Sequence, residues 1–280
     1  MRPVDYGSAW SAGLQLGSDA ELESWLALGL AMCDVTDPVC LEALRGGLSI
    51  SAKDDGTFVT QADRAVEQLI RERIAEAFPD HGVVGEEFGD AGSGAAVRWY
   101  VDPIDGTHNF MRGVPLFATL LGVERDGELQ AGIISAPALG RRWWARRGGG
   151  AWCQDLLMGG SPRRLNVSDR ADLATSQLVY GGTTDMLDSR VGTGFEALLR
   201  DVWRERAFGD FWGYALVADA SAELMMEPAL YVWDIAGPWV VVEEAGGRVT
   251  DFDGRRDWHA GEALASNGLL HDGVLERLRR

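Results

Sequence analysis

The feature that most constrains the fold is a change of hydrophobic period near residue 97. Before it, apolar residues recur at helical spacing, whereas residues 97–150 contain short apolar stretches broken by Gly and Pro. Spacings of three and four residues are typical of helices with one buried face, and short apolar stretches bounded by turn residues are typical of strands. The chain is therefore predicted to fold as layers of helix and sheet.

The first half of the chain carries two helical patterns. Ser18, with Glu21 three residues later, matches a capping box, and apolar residues then continue at helical spacing toward Cys33. Thr60 begins the second pattern, which Pro79 ends. Both segments are predicted to be helices.

Four short apolar stretches in the next region are predicted strands. They cover residues 99–101, 117–123, 129–134 and 142–145. Asp126-Gly127 lies between two of them, and this pair tolerates the positive φ angles of a tight hairpin turn. Residues 1–170 are therefore expected to form an N-terminal α+β lobe.

Strands and helices alternate in the second half. The predicted elements are a strand over 177–180, helices over 195–202 and 214–224, a helix that Asp234 caps and that ends at Gly246-Gly247, a strand over 248–252 and a terminal helix from Asp272. Residues 171–280 are thus expected to form a C-terminal α/β lobe. The whole chain is predicted to be an α/β protein of two intimate lobes with alternating layers.

The acidic balance of the chain argues against two classes of partner. The 280 residues carry a formal net charge of −17 and an isoelectric point near 4.6, which repels nucleic acid and anionic membranes. An anionic substrate would need divalent cations to reverse the local potential. The basic, aromatic stretch 141–147 is compatible with nucleic-acid binding, but a strand whose arginines face solvent or pair with the surplus acids is the favoured interpretation.

Neither a disulfide framework nor a membrane span is indicated. Cys33, Cys40 and Cys153 are an odd number without C-x-x-C spacing, so they are expected to be reduced. The four histidines lack metal-ligand spacing and are interpreted as surface or packing residues. No apolar run approaches the roughly 18 residues of a transmembrane helix, and residues 1–17 lack the apolar core of a secretory signal. A cytoplasmic location is predicted.

Carboxylates at the end of a predicted strand are the first chemical signal. The segment Asp102-Pro103-Ile104-Asp105-Gly106-Thr107 places two carboxylates three positions apart across a turn. These carboxylates and the Ile104 carbonyl are oxygen ligands of the kind that Mg²⁺ takes. The N–H groups of Gly106 and Thr107, at a possible helix start, would suit phosphate oxygens. The same pattern is also ordinary turn chemistry.

Two further carboxylates have both a functional and a plain structural interpretation. Glu86 follows the apolar pair Val83-Val84, so it lies either at a strand end or in a solvated acidic loop. Asp234 is either a metal ligand or a simple helix N-cap. Because Asp234 falls in the second lobe and the other acids in the first, a shared site would lie between the lobes.

Taken together, the acidic motifs resemble a known family. Gly85-Glu86-Glu87, Asp102-Pro103-Ile104-Asp105-Gly106-Thr107 and Trp233-Asp234-Ile235-Ala236-Gly237 occur in the order and at the separations of the inositol monophosphatase superfamily. The resemblance extends from about Lys53 to the C-terminus. It implies alternating α-β-α-β-α layers and a homodimer.

Within this superfamily the chain is most similar to the histidinol-phosphate phosphatases. The similarity rests on residues 109–115, 135–145, 209–212 and 266–271. His108 departs from the pattern, in which a lysine is expected, and residues 219–223 replace a more usual glycine-bearing turn. The Asp-Gly-Thr sequence next to His108 is intact.

The resemblance implies an active site with two to three Mg²⁺ ions. The implied metal ligands are Glu86, Asp102, the Ile104 carbonyl, Asp105 and Asp234. Glu86 and Thr107, the latter oriented by Asp63, would position and deprotonate an attacking water. The implied substrate-binding residues are Gly106, Thr107, Arg206, Asp210, Glu227 and Asn267.

The expected reaction is hydrolysis of a small phosphorylated metabolite, L-histidinol phosphate, in histidine biosynthesis. Its ammonium and imidazole suit carboxylates at Asp210 and Glu227, whereas inositol phosphates offer only hydroxyls. The plainer interpretation of Asp210 is an ion pair with Arg206. An inositol or sugar-alcohol monophosphatase, a nucleotide 3′-phosphatase and a nonenzymatic binding protein on the same fold stay open as alternatives.

Overall fold

The computed structural model of the chain describes residues 20–46, 50–52, 58–92 and 94–279. The capping box predicted at Ser18 and the N-terminal residues 1–17 lie outside these ranges. For residues 50–52 and 58–60 the structure describes only the backbone.

Helices and strands follow one another along most of the described chain. The helices are α1 (Ala20–Gly46), α2 (Gln61–Ala77), α3 (Thr107–Met111), α4 (Thr183–Asp188), α5 (Gly192–Asp201), α6 (Asp210–Ala218), α7 (Val232–Glu244) and α8 (His271–Leu278). The strands before residue 170 are β1 (Ile50–Ala52), β2 (Phe58–Thr60), β3 (Gly82–Gly85), β4 (Gly89–Ala91), β5 (Val97–Asp105), β6 (Ala118–Arg125), β7 (Glu128–Ala136), β8 (Arg141–Arg146), β9 (Gly150–Asp155) and β10 (Arg163–Arg164). The later strands are β11 (Gln177–Tyr180), β12 (Arg204–Arg206), β13 (Leu224–Glu227), β14 (Arg248–Thr250) and β15 (Ala263–Ser266).

Two large sheets organise these elements. The first has eight strands in the order β10-β9-β8-β7-β6-β5-β3-β4, and the second has five in the order β12-β11-β13-β15-β14. The β6–β7 hairpin turns at Asp126 and Gly127, whose φ angles are 55° and 85°, so the predicted tight turn is confirmed. In the second sheet, β11 lies between β12 and β13 and runs parallel to both.

Helices cover both faces of both sheets. α1 and α2 pack on one face of the eight-stranded sheet, and α6 and α7 lie between its other face and the five-stranded sheet. The outer face of the second sheet is covered by α5 and α8. Side chains alternate accordingly along β13. Met225 faces α6 and α7, whereas Leu224 and Met226 are buried on the other face of the sheet, toward α5 and α8. The predicted alternation of α-β-α-β-α layers is confirmed.

The predicted division into lobes at residue 170 stays a prediction. All strands of the eight-stranded sheet precede this residue, and all strands of the five-stranded sheet follow it. The core, however, is continuous across it, because one cluster of buried side chains includes Tyr100 and Trp143 together with Val179 and Met225.

Two predicted elements of the second half are wrong in detail. The helix expected over 214–224 begins at Asp210 and ends at Ala218, and Leu224–Glu227 is a strand. The Leu-Met-Met sequence does not alternate in polarity because β13 is buried on both faces, so it cannot be told from a helix by period. Asp234 is not an N-cap. Tyr231 caps α7, and Asp234, the third residue of the helix, accepts the Tyr231 N–H at 2.8 Å.

The central helix α7 lies unusually close to the eight-stranded sheet. A Cβ atom at Gly132 of β7 would collide with the Gly237 carbonyl, and one at Gly122 of β6 would lie within 2.9 Å of the Gly237 nitrogen. Side chains at these two sheet positions would push the helix away. The glycines therefore set the depth at which α7, and with it Asp234, sits over the sheet.

The basic strand β8 is built into the fold. Arg142 is buried and pairs with Asp34 and Asp37 of α1, and Arg146 pairs with Glu23 of the same helix. These ion pairs confirm that arginines of this stretch neutralise acids of the chain.

Helix α1 has the length and mean hydropathy, 1.3, of a possible membrane span. Half of that apolar stretch is buried against the rest of the protein, and both the core helices of globular proteins and signal sequences have such a length and composition. One such helix is weak evidence for a membrane. All three cysteines are buried and free, as predicted.

Candidate active site

A β-bulge near the end of β5 brings two carboxylates to one face of the sheet. Asp102 lies opposite Leu120 and Asp105 opposite Ala118, so three steps along β5 match two along β6. Residues three apart on a regular strand point to opposite faces, and one extra residue restores them to the same face. The Asp102 carboxylate then accepts the Ile104 N–H at 3.0 Å. The predicted turn is thus a bulge within the strand.

Helix α7 adds a third carboxylate to this pair. Asp102, Asp105 and Asp234 each bring one oxygen atom within 4.8 Å of the others. Asp102 and Asp105 are buried, whereas Asp234 is partly exposed. Residues from the first sheet and from the helix between the sheets therefore meet at one point, as the sequence motifs predict.

The electrostatics of this group are those of a cation site. Burial and the charges of Glu86, Asp105 and Asp234 raise the pKa of Asp102 well above its ordinary value. Burial, followed by the charges of Asp210 and Asp234, also raises the pKa of Asp105. Burial raises the pKa of Asp234 to about 7. Clustered carboxylate oxygens that repel one another are the hard ligands that Mg²⁺ takes, so the donor set fits this ion.

Glu86 reaches the same edge of the sheet from a neighbouring strand. β3 and β5 are parallel, so their carboxyl ends lie side by side, and the Glu86 N–H donates to the Val101 carbonyl at 3.2 Å. Its charge raises the pKa of both Asp102 and Asp234. Glu86 is thus a neighbour of the three-carboxylate group rather than a member of it.

Gly106, Thr107 and Asp63 surround the end of β5. Gly106 has a φ angle of 79° and caps the short helix α3, which Thr107 begins. The Thr107 hydroxyl donates to the Ile104 carbonyl at 3.0 Å, the same carbonyl that is predicted as a metal ligand. Asp63 is fully buried in the first turn of α2, and its charge contributes to the raised pKa of Asp102. Orientation of Thr107 by Asp63 stays a prediction.

A cavity of about 350 Å³ opens next to these carboxylates. It lies at the carboxyl ends of β11, β12 and β13, where Gly181, Gly209 and Glu227 contribute to its wall. Ligands of open α/β sheets bind at such strand ends. Among the described residues of the wall, Asp185, Asp210 and Glu227 are acidic and none is Lys or Arg.

The start of α6 joins the cavity to the three-carboxylate group. The Asp210 N–H donates to Glu227 at 2.8 Å, and the next N–H, that of Phe211, donates to Asp105 at 2.7 Å. Tyr214 donates its hydroxyl to the other oxygen of Glu227 at 2.9 Å. Burial raises the pKa of Glu227 to about 8 and that of Asp210 to about 6.

Asp210 does not pair with Arg206. Its carboxylate accepts from the Asn109 side chain at 3.3 Å, whereas Arg206 is exposed and lies 3.6 Å from Glu205. The plainer interpretation of Asp210 is therefore wrong. Arg206 is not part of the cavity wall, so the structure does not bring this predicted substrate residue to the site.

Asn267 also lies away from the cavity. It follows β15, which runs antiparallel to β13, so that Ser266 is opposite Leu224 and Ala263 is opposite Glu227. Asn267 is therefore at the far end of the sheet, where its side chain donates to the Ser168 and Arg170 carbonyls. These contacts fit a role in packing rather than in substrate binding.

Asp185 is an acidic cavity residue that the sequence interpretation missed. It lies in the first turn of α4, directly after β11 and the pair Gly181-Gly182. A short strand followed by glycines and a helix start is the signal that could have identified it, because this pattern places a side chain at the carboxyl end of a parallel strand.

Known proteins resemble this chain in sequence along nearly its whole length. The profile of the Inositol monophosphatase family matches residues 21–280. A histidinol-phosphatase from Mycobacterium tuberculosis is 46% identical over 256 residues, which cover 90% of this chain and 97% of that protein. A histidinol-phosphatase from Streptomyces coelicolor is 43% identical over 260 residues, which cover 91% and 97%.

A solved structure agrees with the sequence relatives. An IMPase from Thermotoga maritima superimposes with a TM-score of 0.80 at 28% identity, covering 91% of this chain and 97% of that one. The range matched by the family profile, residues 21–280, includes both large sheets and the acidic motifs that meet at the end of β5. These matches, together with the motifs and the layers of the fold, show that the chain belongs to the inositol monophosphatase family.

Proposed function

We propose that this protein is a Mg²⁺-dependent phosphomonoesterase that hydrolyses L-histidinol phosphate to L-histidinol and phosphate. The observation that carries the proposal is the meeting of Asp102, Asp105 and Asp234 within 4.8 Å beside an acid-lined cavity. The first feature supports metal-dependent phosphate chemistry, and the second supports a cationic leaving group. The histidinol-phosphatases among the relatives support the same substrate.

Five groups of the chain would hold two to three Mg²⁺ ions. They are the carboxylates of Glu86, Asp102, Asp105 and Asp234 and the carbonyl of Ile104. When bound, such ions polarise phosphoryl oxygens, lower the pKa of water and stabilise a departing alkoxide.

The remaining groups bind the phosphate and orient water. The first N–H groups of a helix lack partners within it, so the amides of Gly106 and Thr107 at the start of α3 are suited to phosphate oxygens. Glu86 accepts a proton from the attacking water, and Thr107 orients that water for in-line attack on phosphorus. Direct attack by water forms no covalent intermediate. Cys153 is disfavoured as a nucleophile, because it is buried and burial raises the pKa of its thiol.

The cavity carboxylates suit the amino alcohol part of the substrate. L-histidinol carries an ammonium group and an imidazole, and Asp185, Asp210 and Glu227 offer acceptors for both. A hydrogen bond to a charged group contributes about 1.5–3 kcal/mol, or roughly 10–150-fold in affinity. Inositol phosphates would leave these acids without a cationic partner.

A substrate panel tests the proposal against its alternatives. The kcat/KM values for histidinol phosphate, inositol 1-phosphate and adenosine 3′,5′-bisphosphate are measured with Mg²⁺ and with excess chelator. We expect histidinol phosphate to be preferred, activity to vanish in chelator, and lithium and calcium to inhibit. Preference for inositol 1-phosphate would support the sugar-alcohol phosphatase instead, and no hydrolysis of any phosphomonoester would support a binding protein.

The protein is further proposed to be a cytoplasmic homodimer. The resemblance to the family supports both parts of this proposal. Light scattering coupled to size-exclusion chromatography measures the mass in solution, for which we expect twice the 30.4 kDa of one chain.

A further inference from the structure

A buried carboxylate outside the metal site holds the turn that carries Glu86. Glu67 lies in the second turn of α2, and its side chain is fully buried. One oxygen accepts the Glu87 N–H at 2.7 Å, and the other accepts the Phe88 N–H at 3.2 Å. Glu67 therefore binds the two backbone amides that directly follow Glu86.

Arg71 completes this contact one helical turn later. Its Nε donates to Glu67 at 2.7 Å, and its Nη2 donates to the Gly89 carbonyl. The two side chains together contact residues 87, 88 and 89 of the turn. If the Glu67–Arg71 pair stabilised only α2, it would not need its contacts with the Glu87 and Phe88 amides or with the Gly89 carbonyl.

The other side of the turn is fixed by β5. The Glu86 N–H donates to the Val101 carbonyl at 3.2 Å, one residue before Asp102. Gly85 is in van der Waals reach of Glu67, since a Cβ atom there would collide with the Glu67 carboxylate. Glu86 is thus held between the strand that carries Asp102 and the carboxylate of Glu67.

We propose that Glu67, acting with Arg71, is a positioning residue that sets Glu86 for metal binding. This inference rests on the proposed function. Glu67 is not one of the proposed metal ligands, and together with Arg71 it acts through the backbone of residues 87–89. Groups that orient metal ligands in this way typically contribute about 10–100-fold to metal affinity or activity.

The test measures Mg²⁺ binding directly. Glu67→Gln keeps the shape of the side chain but replaces one acceptor oxygen by an NH₂ group. This NH₂ group would face a donor, either an amide of the turn or the Arg71 guanidinium, so at least one hydrogen bond is lost. By isothermal titration calorimetry we expect the Mg²⁺ affinity to fall at least about tenfold. At saturating Mg²⁺ we expect kcat to recover most of its value, because the ligand is displaced rather than removed.

Two further variants separate positioning from stability. Glu23→Gln weakens a comparable buried ion pair, that with Arg146, far from the site, and should leave Mg²⁺ affinity unchanged. Arg71→Lys keeps the charge but loses the planar donor pair that reaches Glu67 and Gly89 together, and should weaken Mg²⁺ binding in the same direction with a smaller effect.

The outcomes distinguish the two proposals. Unaltered Mg²⁺ affinity in both Glu67→Gln and Arg71→Lys, while the parent protein binds Mg²⁺ and hydrolyses substrate, would overturn the positioning role alone. An equal loss in Glu23→Gln would also overturn it, since the effect would then follow stability. Failure of the parent protein to bind Mg²⁺ would overturn both proposals.

Discussion

Phe211 donates its backbone N–H to the Asp105 carboxylate at 2.7 Å, across 106 positions of sequence. The preceding amide, that of Asp210, donates to Glu227 of the cavity. A single turn at the start of α6 therefore contacts both a predicted metal ligand and an acid of the predicted substrate cavity. A substrate that displaced this turn would therefore also move the amide that donates to the Asp105 carboxylate.

Removal of one charge from the metal site should abolish most of the activity. We expect Asp105→Asn to lower kcat by at least about 10²-fold, the size typical of a lost electrostatic stabiliser. Steady-state hydrolysis of p-nitrophenyl phosphate at several Mg²⁺ concentrations measures it. Asp126→Asn, in the exposed β6–β7 turn, is the matched control and should retain full activity. An Asp105→Asn enzyme within threefold of the parent would refute the ligand assignment.

Asp210 should discriminate between substrates. We expect Asp210→Ser, and the isosteric Asp210→Asn, to lower kcat/KM for histidinol phosphate by at least about tenfold, because a charge-assisted hydrogen bond to the substrate cation is lost. Hydrolysis of p-nitrophenyl phosphate should be nearly unchanged. Equal losses on both substrates would instead assign Asp210 a structural role, through its contact with Asn109.

The close approach of α7 to the sheet should be sensitive to one methyl group. We expect Gly132→Ala to destabilise the protein by about 1–3 kcal/mol, the usual cost of overpacking, because the Cβ would collide with the Gly237 carbonyl. The shifted helix should also displace Asp234 and lower kcat. Urea unfolding and kinetics measure the two effects. Gly46→Ala, with nothing within 4 Å of its Cβ, should show neither.

The buried imidazole of His271 should make stability depend on pH. Its ring contacts the Thr250 and Ser266 hydroxyls, and burial, together with the Arg248 charge, lowers its pKa to about 4. An unfolded histidine titrates near pKa 6.5, so between pH 6.5 and 4 the unfolded chain binds more protons. Its contribution to the free energy of unfolding is thus complete above pH 6.5 and falls by about 3 kcal/mol as the pH approaches 4.

A variant without the imidazole separates the pH dependence caused by His271 from that of the other titratable groups. His271→Gln lowers stability at all pH values but should flatten the dependence on pH between 6.5 and 4. The free energy of unfolding in urea, measured at several pH values for both proteins, gives the comparison. Parallel curves would show that His271 does not titrate in this range.

The candidate residues of the site could be predicted from the sequence better than the geometry that unites them. Asp102, Asp105 and Asp234 are identifiable because their motifs occur together in the order of the family's motifs, whereas each motif alone is equally typical of a turn or a helix cap. The bulge between Asp102 and Asp105 is not identifiable, since it depends on pairing with β6. The same holds for Glu67, which in sequence is one of many charged residues of a helix and only in the folded chain contacts the Glu86 turn.

Burial and distance explain the remaining differences. The helix predicted over 214–224 runs into the first residue of β13 because a strand covered on both faces has no polar alternation. The resemblance assigns Arg206 and Asn267 to the substrate, whereas Arg206 pairs with Glu205 and Asn267 lies at the far end of the second sheet. Asp185 follows a strand, two glycines and a helix start, but the parallel neighbours of β11 decide that this strand end borders the cavity.

Because α7 lies between the two sheets, the proposed metal would stabilise the fold as well as take part in catalysis. Asp102 and Asp105 belong to one sheet, and Asp234 belongs to the helix that packs on both. Only the folded molecule brings all three together, so binding of the proposed Mg²⁺ would be thermodynamically linked to folding. At about 100 times its Kd, one bound ion adds about 2.7 kcal/mol to the free energy of unfolding. A protein starved of magnesium would lose resistance to proteolysis together with its activity.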